Sequence, residues 1–236
     1  MIHPKKTKCM LITTRQKHQL QPLRLNLYLH SQLIEQVTEH KVLGLIIDDK
    51  LTWTSHIRYL CKRLSQNIFL LSRLRHYVDT NALRMFFFAH CVSHINYAST
   101  IWCNAADAHI KQLNSLHKRA VKLLLFPSSD SIMETFKRLN ILPLHLQFKY
   151  NVCVYMYKIC TGGMPSYLSH FFQKATDRYG SSKYIVPLPR IDLYKSSLSF
   201  WGSLVWNSLP ESCRSATSIS IFKKLLRHHI STSFNS

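Results

Sequence analysis

The chain has 236 residues, of which 46% are hydrophobic and 11% aromatic; that is enough apolar material for one large or two small domains and excludes a disordered tail. Lys and Arg number 31 against 11 Asp and Glu, giving a net charge of +20 with 14 His besides, and a pI near 9.9. Such an excess attracts polyanions, of which phosphate backbones are the commonest inside cells, while the lack of any apolar run of about 18 residues argues against a membrane span.

In chain order, the sequence KTKCMLITTR opens with basic residues before a short strand over residues 9–12. Leu23, Leu25, Leu27 and Leu29 then alternate with polar residues, His30-Ser31 reads as a turn, and Leu33, Ile34 and Val37 form a returning arm. The run Val42, Leu43, Leu45, Ile46, Ile47 predicts one strand buried on both faces and broken once at Gly44. Together these make a small antiparallel sheet of three or four strands. Asp48 and Asp49 close the last strand, Thr52 is the expected helix cap, and apolar residues recur at intervals of three and four over residues 53–77.

On a wheel of about 100° per residue, Ile57, Leu60, Leu64, Ile68, Leu71, Leu74 and Val78 share one arc. Arg58, Lys62, Gln66 and Arg73 form a narrow stripe opposite. Such a helix spans about 37 Å, enough to lie along a nucleic-acid groove. The stripe reads either as a binding rail or as a solvated charged face, and no acid sits on it.

Asp79 or Thr80 caps a following helix through MFFFAHCV, and a further segment covers residues 93–102. Asp107 is expected to cap a helix with Ile110, Leu113, Leu116, Ala120, Leu123 and Leu124 on one side and Lys111, Lys118 and Lys122 on another, stopped by Pro127. Ser129 or Asp130 should cap the next helix to Leu139. A helix over residues 148–160 is stopped by Gly162-Gly163, and PSYLSHFF gives one helical turn. Residues 173–197 read as an irregular or weakly stranded linker. A short helix then ends near Pro210, and the last carries Ile219, Phe222, Leu225, Leu226 and Ile230 inward with Lys223, Lys224 and Arg227 outward. The expected class is α+β, mostly α: a small N-terminal sheet, a helical bundle and a helical C-terminal part.

Five segments in order, KTKCMLIT, the strand–turn–strand, KVLGLIIDDKLTWTSHI, HIKQLNSLHKRAVKLLL and FWGSLVWNSLPESCRSATSISIFKKLL, resemble the carboxyl-terminal part of non-LTR (LINE-type, jockey-like) retrotransposon reverse transcriptases. The resemblance covers nearly the whole chain. It implies a primer grip at Val42, Leu43 and Gly44, a thumb entered through residues 51–57, and a W-N-S-L-P…F-K-K-x-L tail. The implied division is a residual palm edge and primer-grip hairpin over 1–52, a thumb-like bundle over 53–127, a helical C-terminal domain over 128–172, a linker over 173–197 and a helical tail over 198–236. The implied partner is a template–primer, an RNA–DNA hybrid or duplex, met by Arg58, Lys62, Arg73, Lys111, Lys118 and Lys122.

A polymerase of that family holds two metal ions about 3.5–4 Å apart on palm carboxylates. Ile46-Ile47-Asp48-Asp49 resembles such a hairpin only superficially, because KLTW and a long helix follow it. The only acids upstream of it are Glu35 and Glu39. Strand-end acids that help to cap a helix explain the pair, so no catalytic residue is expected, and no cofactor, magnesium belonging to the parent polymerase. Cys91, His94, Cys103 and His109 fit no familiar zinc knuckle. The cysteines, seven in number and without a C-x-x-C, suit reduced thiols with no disulfide partner. Lys5, Lys6 and Lys8 precede too short an apolar run for a signal peptide, so the expected location is intracellular, nuclear or cytoplasmic. Three readings remain open: a truncated, non-catalytic nucleic-acid-binding fragment, part of an active polymerase whose palm lies upstream, and a relic whose edge strand at residues 8–12 is left unpaired.

Overall fold

A computed structural model of the chain describes His3 and residues 7–13, 24–125, 129–175 and 182–235. Its class is α+β and mostly helical, as the sequence predicts. Among the described residues the strands are β1 (Lys8–Cys9), β2 (Tyr28–Leu29), β3 (Gln32–Leu33), β4 (Glu35–Gln36), β5 (Glu39–Val42) and β6 (Leu45–Asp48). They pair as three two-stranded ladders, β1 with β4, β2 with β3 and β5 with β6.

The β2–β3 hairpin forms where the strand–turn–strand is expected, but Leu27 and Leu33 are exposed, the returning arm divides at Ile34 so that residues 35–36 pair with β1, and Leu23 lies outside the described residues. His30 and Ser31 have φ of 49° and 63°, the positive pair that a type I′ turn requires. The β5–β6 ladder corrects the expected single strand over residues 42–47. Val42 pairs with Leu45 across an antiparallel hairpin, and Leu43 and Gly44 turn it with φ of 47° and 84°. Glycine takes that conformation freely, so the apolar run folds back on itself there. Only the returning arm reaches the core: Leu45 is buried, whereas Val42 is 43% and Leu43 85% exposed. A second correction concerns β1, which is shorter than residues 9–12 and pairs in parallel, Lys8 with Glu35 and Cys9 with Gln36. The Val37 amide extends that ladder to the Cys9 carbonyl at 2.9 Å, and Lys8 is ion-paired to Glu35, so β4 covers one edge of β1.

Helix α1 (Thr54–Leu74) is shorter at both ends than residues 53–77, and its cap is Trp53, with φ of 61°, rather than Thr52. Val78 therefore lies beyond the helix and is exposed. Asp79 caps α2 (Thr80–Phe87) by accepting from the Ala82 amide. A π-helical turn (Phe88–Val92) leads into α3 (Ser93–Asn96). The expected continuous segment over residues 93–102 breaks where Ala98 turns left-handed at φ 47°, before α4 (Ser99–Trp102). Helix α5 (Asp107–Leu123) is capped by Ala106, not Asp107; Asp107 sits in the first turn, where a carboxylate still favours the helix dipole. Its expected stop at Pro127 lies outside the described residues.

Ser131, rather than Ser129 or Asp130, caps α6 (Ile132–Leu139). It alone has a glutamate three residues on, and Glu134 completes the reciprocal capping box. Helix α7 (Leu144–Cys160) begins directly after Pro143, earlier than Phe148, because proline lacks the amide that a helix start leaves unpaired. Gly162 at φ 73° ends it, and the Gly163 amide returns to the Lys158 carbonyl at 2.8 Å. Then come α8 (Ser166–Ser169), α9 (Asp192–Lys195), α10 (Leu198–Asn207), α11 (Glu211–Arg214) and α12 (Ile219–Asn235).

Buried apolar residues form two clusters. One joins Leu45, Trp53, Ile57, Trp102, Met156, Trp206 and Phe222, and so ties β6 and the start of α1 to α4, α7, α10 and α12. The other joins Ile68, Leu71, Phe87, Val121 and Phe136, across α1, α2, α5 and α6. The polar stretch over 173–197 is largely irregular with one bridge, Lys174 to Tyr184; its residues 176–181 lie outside the described ones. It is anchored, because buried Tyr184 exchanges backbone hydrogen bonds with the Asn207 amide group at 2.9 and 2.7 Å. Arg227 is not simply outward. It is half-buried and donates to the carbonyl and side-chain oxygens of Asn140 at 2.6 and 3.2 Å.

Candidate nucleic-acid interface

The 3.6-residue period divides α1 as the sequence predicts. Ile57, Leu60, Leu64, Ile68 and Leu71 are buried, and Arg58, Lys62, Gln66 and Arg73 are all exposed. None of these three cations is ion-paired to a described residue, so their charge is open to solvent. Phe69 falls in the same stripe and is 58% exposed, with the Arg73 guanidinium 5.4 Å from its ring centre. This cation–π pair holds an aromatic face and a cation side by side. Phe69 lies outside the apolar arc, and its wheel angle places it with the basic stripe.

Helix α5 repeats the pattern. Leu113, Ala120 and Val121 are buried, while Lys111, Lys118 and Lys122 are exposed. His117 lies on the buried side, a position that sequence periodicity did not single out. Its ring stacks on Phe87 at 5.9 Å and lies 5.5 Å from Phe136, and burial pushes its pKa down to about 4. The ring is therefore neutral and contributes nothing to the rail. Helices α1 and α5 pack on each other, so each rail occupies the solvent side of its own helix.

Val42, Leu43 and Gly44 form the tip of the β5–β6 hairpin. The Tyr97 hydroxyl donates to the Leu43 carbonyl, and a Cβ on Gly44 would lie 3.4 Å from the Tyr97 ring. The tip is thus seated on the residue at which α3 ends. Cations that sequence spacing could not bring together meet beside it. Lys41 Nζ lies 5.1 Å and the Arg63 guanidinium 5.9 Å from the centre of the Tyr59 ring. His94 has its pKa lowered, first by burial and then by Arg63 and His90.

Asp48 is committed to structure. Its carboxylate accepts from the amides of Lys50, Thr52 and Trp53 at 3.2, 2.9 and 2.9 Å, and from the Thr52 hydroxyl at 3.2 Å. The imagined metal set is dispersed. Cys91 and Cys103 belong to different apolar clusters, burial pushes both thiols up to about 12, and His109 Nε2 lies 3.1 Å from the Thr54 hydroxyl. Among the described residues no three His, Cys, Asp or Glu are placed to hold a metal ion, and no helix is long and apolar enough to cross a membrane.

Over 128 residues the chain is 27% identical to a protein named "Probable RNA-directed DNA polymerase from transposon BS" of Drosophila melanogaster. The matched stretch is 52% of this chain and 14% of that protein's length. The similarity supports a relationship to retrotransposon reverse transcriptases. No family model matches the chain, and no solved structure matches it.

Proposed function

We propose that this chain is a non-catalytic, sequence-independent nucleic-acid-binding unit of the retrotransposon reverse-transcriptase type, a thumb-like clamp on an RNA–DNA hybrid or duplex template–primer. The observation that carries the reading is the stripe of exposed Arg58, Lys62 and Arg73, none ion-paired to a described residue, on a helix whose opposite face is buried from Ile57 to Leu71. Phosphate contacts of this kind position a duplex without reading its bases. Lys111, Lys118 and Lys122 add a second rail, and the tip at Val42, Leu43 and Gly44 is the part that meets the primer end. The hydrogen bonds that occupy Asp48 support a non-catalytic role. The test is binding of the purified chain to an RNA–DNA hybrid across a salt series, with Arg58, Lys62 and Arg73 changed together to Ala. Each genuine contact contributes about 0.9 to the slope of log affinity against log salt, so the triple variant should flatten it by about 2.7. A slope unchanged by the substitution would sink the clamp.

The second reading is a segment of an active polymerase whose catalytic part is encoded elsewhere. It is favoured by the name of the Drosophila protein, of which the matched stretch is 14%. Genomic sequence 5′ of the first codon decides between them: an in-frame palm with its carboxylates makes this chain the polymerase's clamp, and none leaves it a binder alone.

A further inference from the structure

A groove of about 410 Å³ opens where the corner between α3 and α4 meets α7 and α12. It lies within the size range of small-ligand sites, roughly 300–1,000 Å³. One face of α7 lines it, because Tyr150, Val154, Tyr155 and Lys158 recur at helical spacing. Lys223 of α12 stands across from them. No carboxylate lines the groove, and neither lysine is ion-paired to a described residue. Arg227 adds to the positive field, since it acts on Tyr150.

The floor is polar and fixed. Asn151 donates to Asn96 Oδ1 and to the Ser99 hydroxyl, each at 2.9 Å, and accepts from Gln147 at 3.0 Å. Ser99 is itself buried. Tyr150 and Tyr155 are half-buried, so their rings offer apolar surface to the groove. Neither lysine is needed by the fold, both being exposed.

We propose that this groove binds a nucleotide, its phosphate on Lys158 and Lys223 and its base against Tyr150 and Tyr155. Lysines supply the mobile cationic donors that phosphate takes. Aromatic faces supply sequence-tolerant stacking for a base. Either lysine or tyrosine alone would be an ordinary surface feature; their convergence over a rigid amide floor gives both halves of a nucleotide a partner. The nucleotide could be a free monophosphate or the phosphorylated end of a strand, since the chemistry is shared.

The experiment is calorimetric titration of the full chain with adenosine monophosphate, adenosine, inorganic phosphate, and a short oligonucleotide with or without a 5′ phosphate. Saturable binding of the monophosphate, tighter than that of adenosine or phosphate, is expected. Lys158→Ala with Lys223→Ala should weaken it by roughly tenfold or more, and Tyr155→Leu, which removes the ring but keeps an apolar side chain, should weaken it as well. Changing Lys111, Lys118 and Lys122 to Ala should leave it unaltered, which separates this site from the rails. Competition by the 5′-phosphorylated oligonucleotide, absent for its 5′-hydroxyl form, assigns the groove to strand ends; no such preference assigns it to the free nucleotide. Failure of the monophosphate and of the phosphorylated strand end to bind, equal affinity for adenosine, or binding indifferent to the lysine pair overturns the proposal.

Discussion

The Asp48 carboxylate lies 2.9 Å from the backbone nitrogen of Trp53 and accepts its hydrogen. The same carboxylate takes the amides of Lys50 and Thr52, so it fixes the loop between β6 and α1. That loop holds Leu51 and Trp53 at φ of 51° and 61°, a conformation that costs non-glycine residues about 1–2 kcal/mol each. Asp48→Ala removes the partner of those amides and should lower unfolding free energy by about 2–3 kcal/mol. Asp48→Asn, which keeps one acceptor oxygen, should lose roughly half as much. Urea unfolding measures both, and a midpoint equal to wild type for Asp48→Ala would remove the anchoring role.

Leu43 occupies the first central position of the β5–β6 turn at φ 47° and is 85% exposed. An Asn-Gly pair suits that turn better than Leu-Gly. Leu43→Asn should therefore stabilise the fold by about 0.5–1 kcal/mol. If the tip meets a primer end, the exposed Leu43 side chain is the group that touches it. The same variant should bind a hybrid with a recessed primer end more weakly while binding a blunt hybrid as before. Equal affinity for both would assign the tip no role at the primer end.

The buried and exposed faces of α1 and α5 were legible because each is a surface helix with one buried side, and the 3.6-residue period survives in Ile57 to Leu71 and in Leu113 to Leu124. The bend at Leu43-Gly44 was not. A short apolar run fits either one strand buried twice or two arms of a hairpin, and only the backbone angles of Gly44 separate them. Trp53 gives no sequence signal for a left-handed cap; Asp48, five residues earlier, imposes it. The meeting of Lys41 with Arg63 was beyond periodicity for a different reason: Arg63 lies one helical turn from Tyr59 on α1, but only tertiary packing brings Lys41 of β5 to the same ring.

The contribution of the second rail can be isolated. Lys111, Lys118 and Lys122 are exposed and face solvent from one line of α5, so changing all three to Ala should leave stability within about 0.5 kcal/mol of wild type. If all three touch phosphate, the salt slope for an RNA–DNA hybrid should fall by about 2.7. Phe69→Ala tests the aromatic on the first rail. Because it removes ring contact rather than charge, it should weaken single-strand binding by about 1 kcal/mol or more and leave the salt slope unchanged. A slope that fell with Phe69→Ala would mean that the ring acts only by placing Arg73.

His117 gives the fold a defined pH dependence. It is 3% exposed between Phe87 and Phe136, and its Nδ1 has no hydrogen-bond partner among the described residues. Burial lowers its pKa from 6.5 to about 4 in the folded state, so between those values the unfolded chain binds the extra proton. Stability is therefore complete above the unfolded pKa and is lost as pH falls toward the folded one. At about 1.4 kcal/mol per unit of pKa difference, the loss across that window is about 3 kcal/mol. His56, whose pKa burial also lowers, adds in the same direction, so the residue must be isolated by substitution. His117→Leu removes the titrating group while keeping an apolar side chain on that buried face. Urea unfolding at pH 7 and pH 4.5 should show a smaller drop for this variant than for wild type, whatever its absolute stability. Equal drops would mean that the acid sensitivity of the fold arises at His56 or elsewhere and that the native His117 ring is not held neutral.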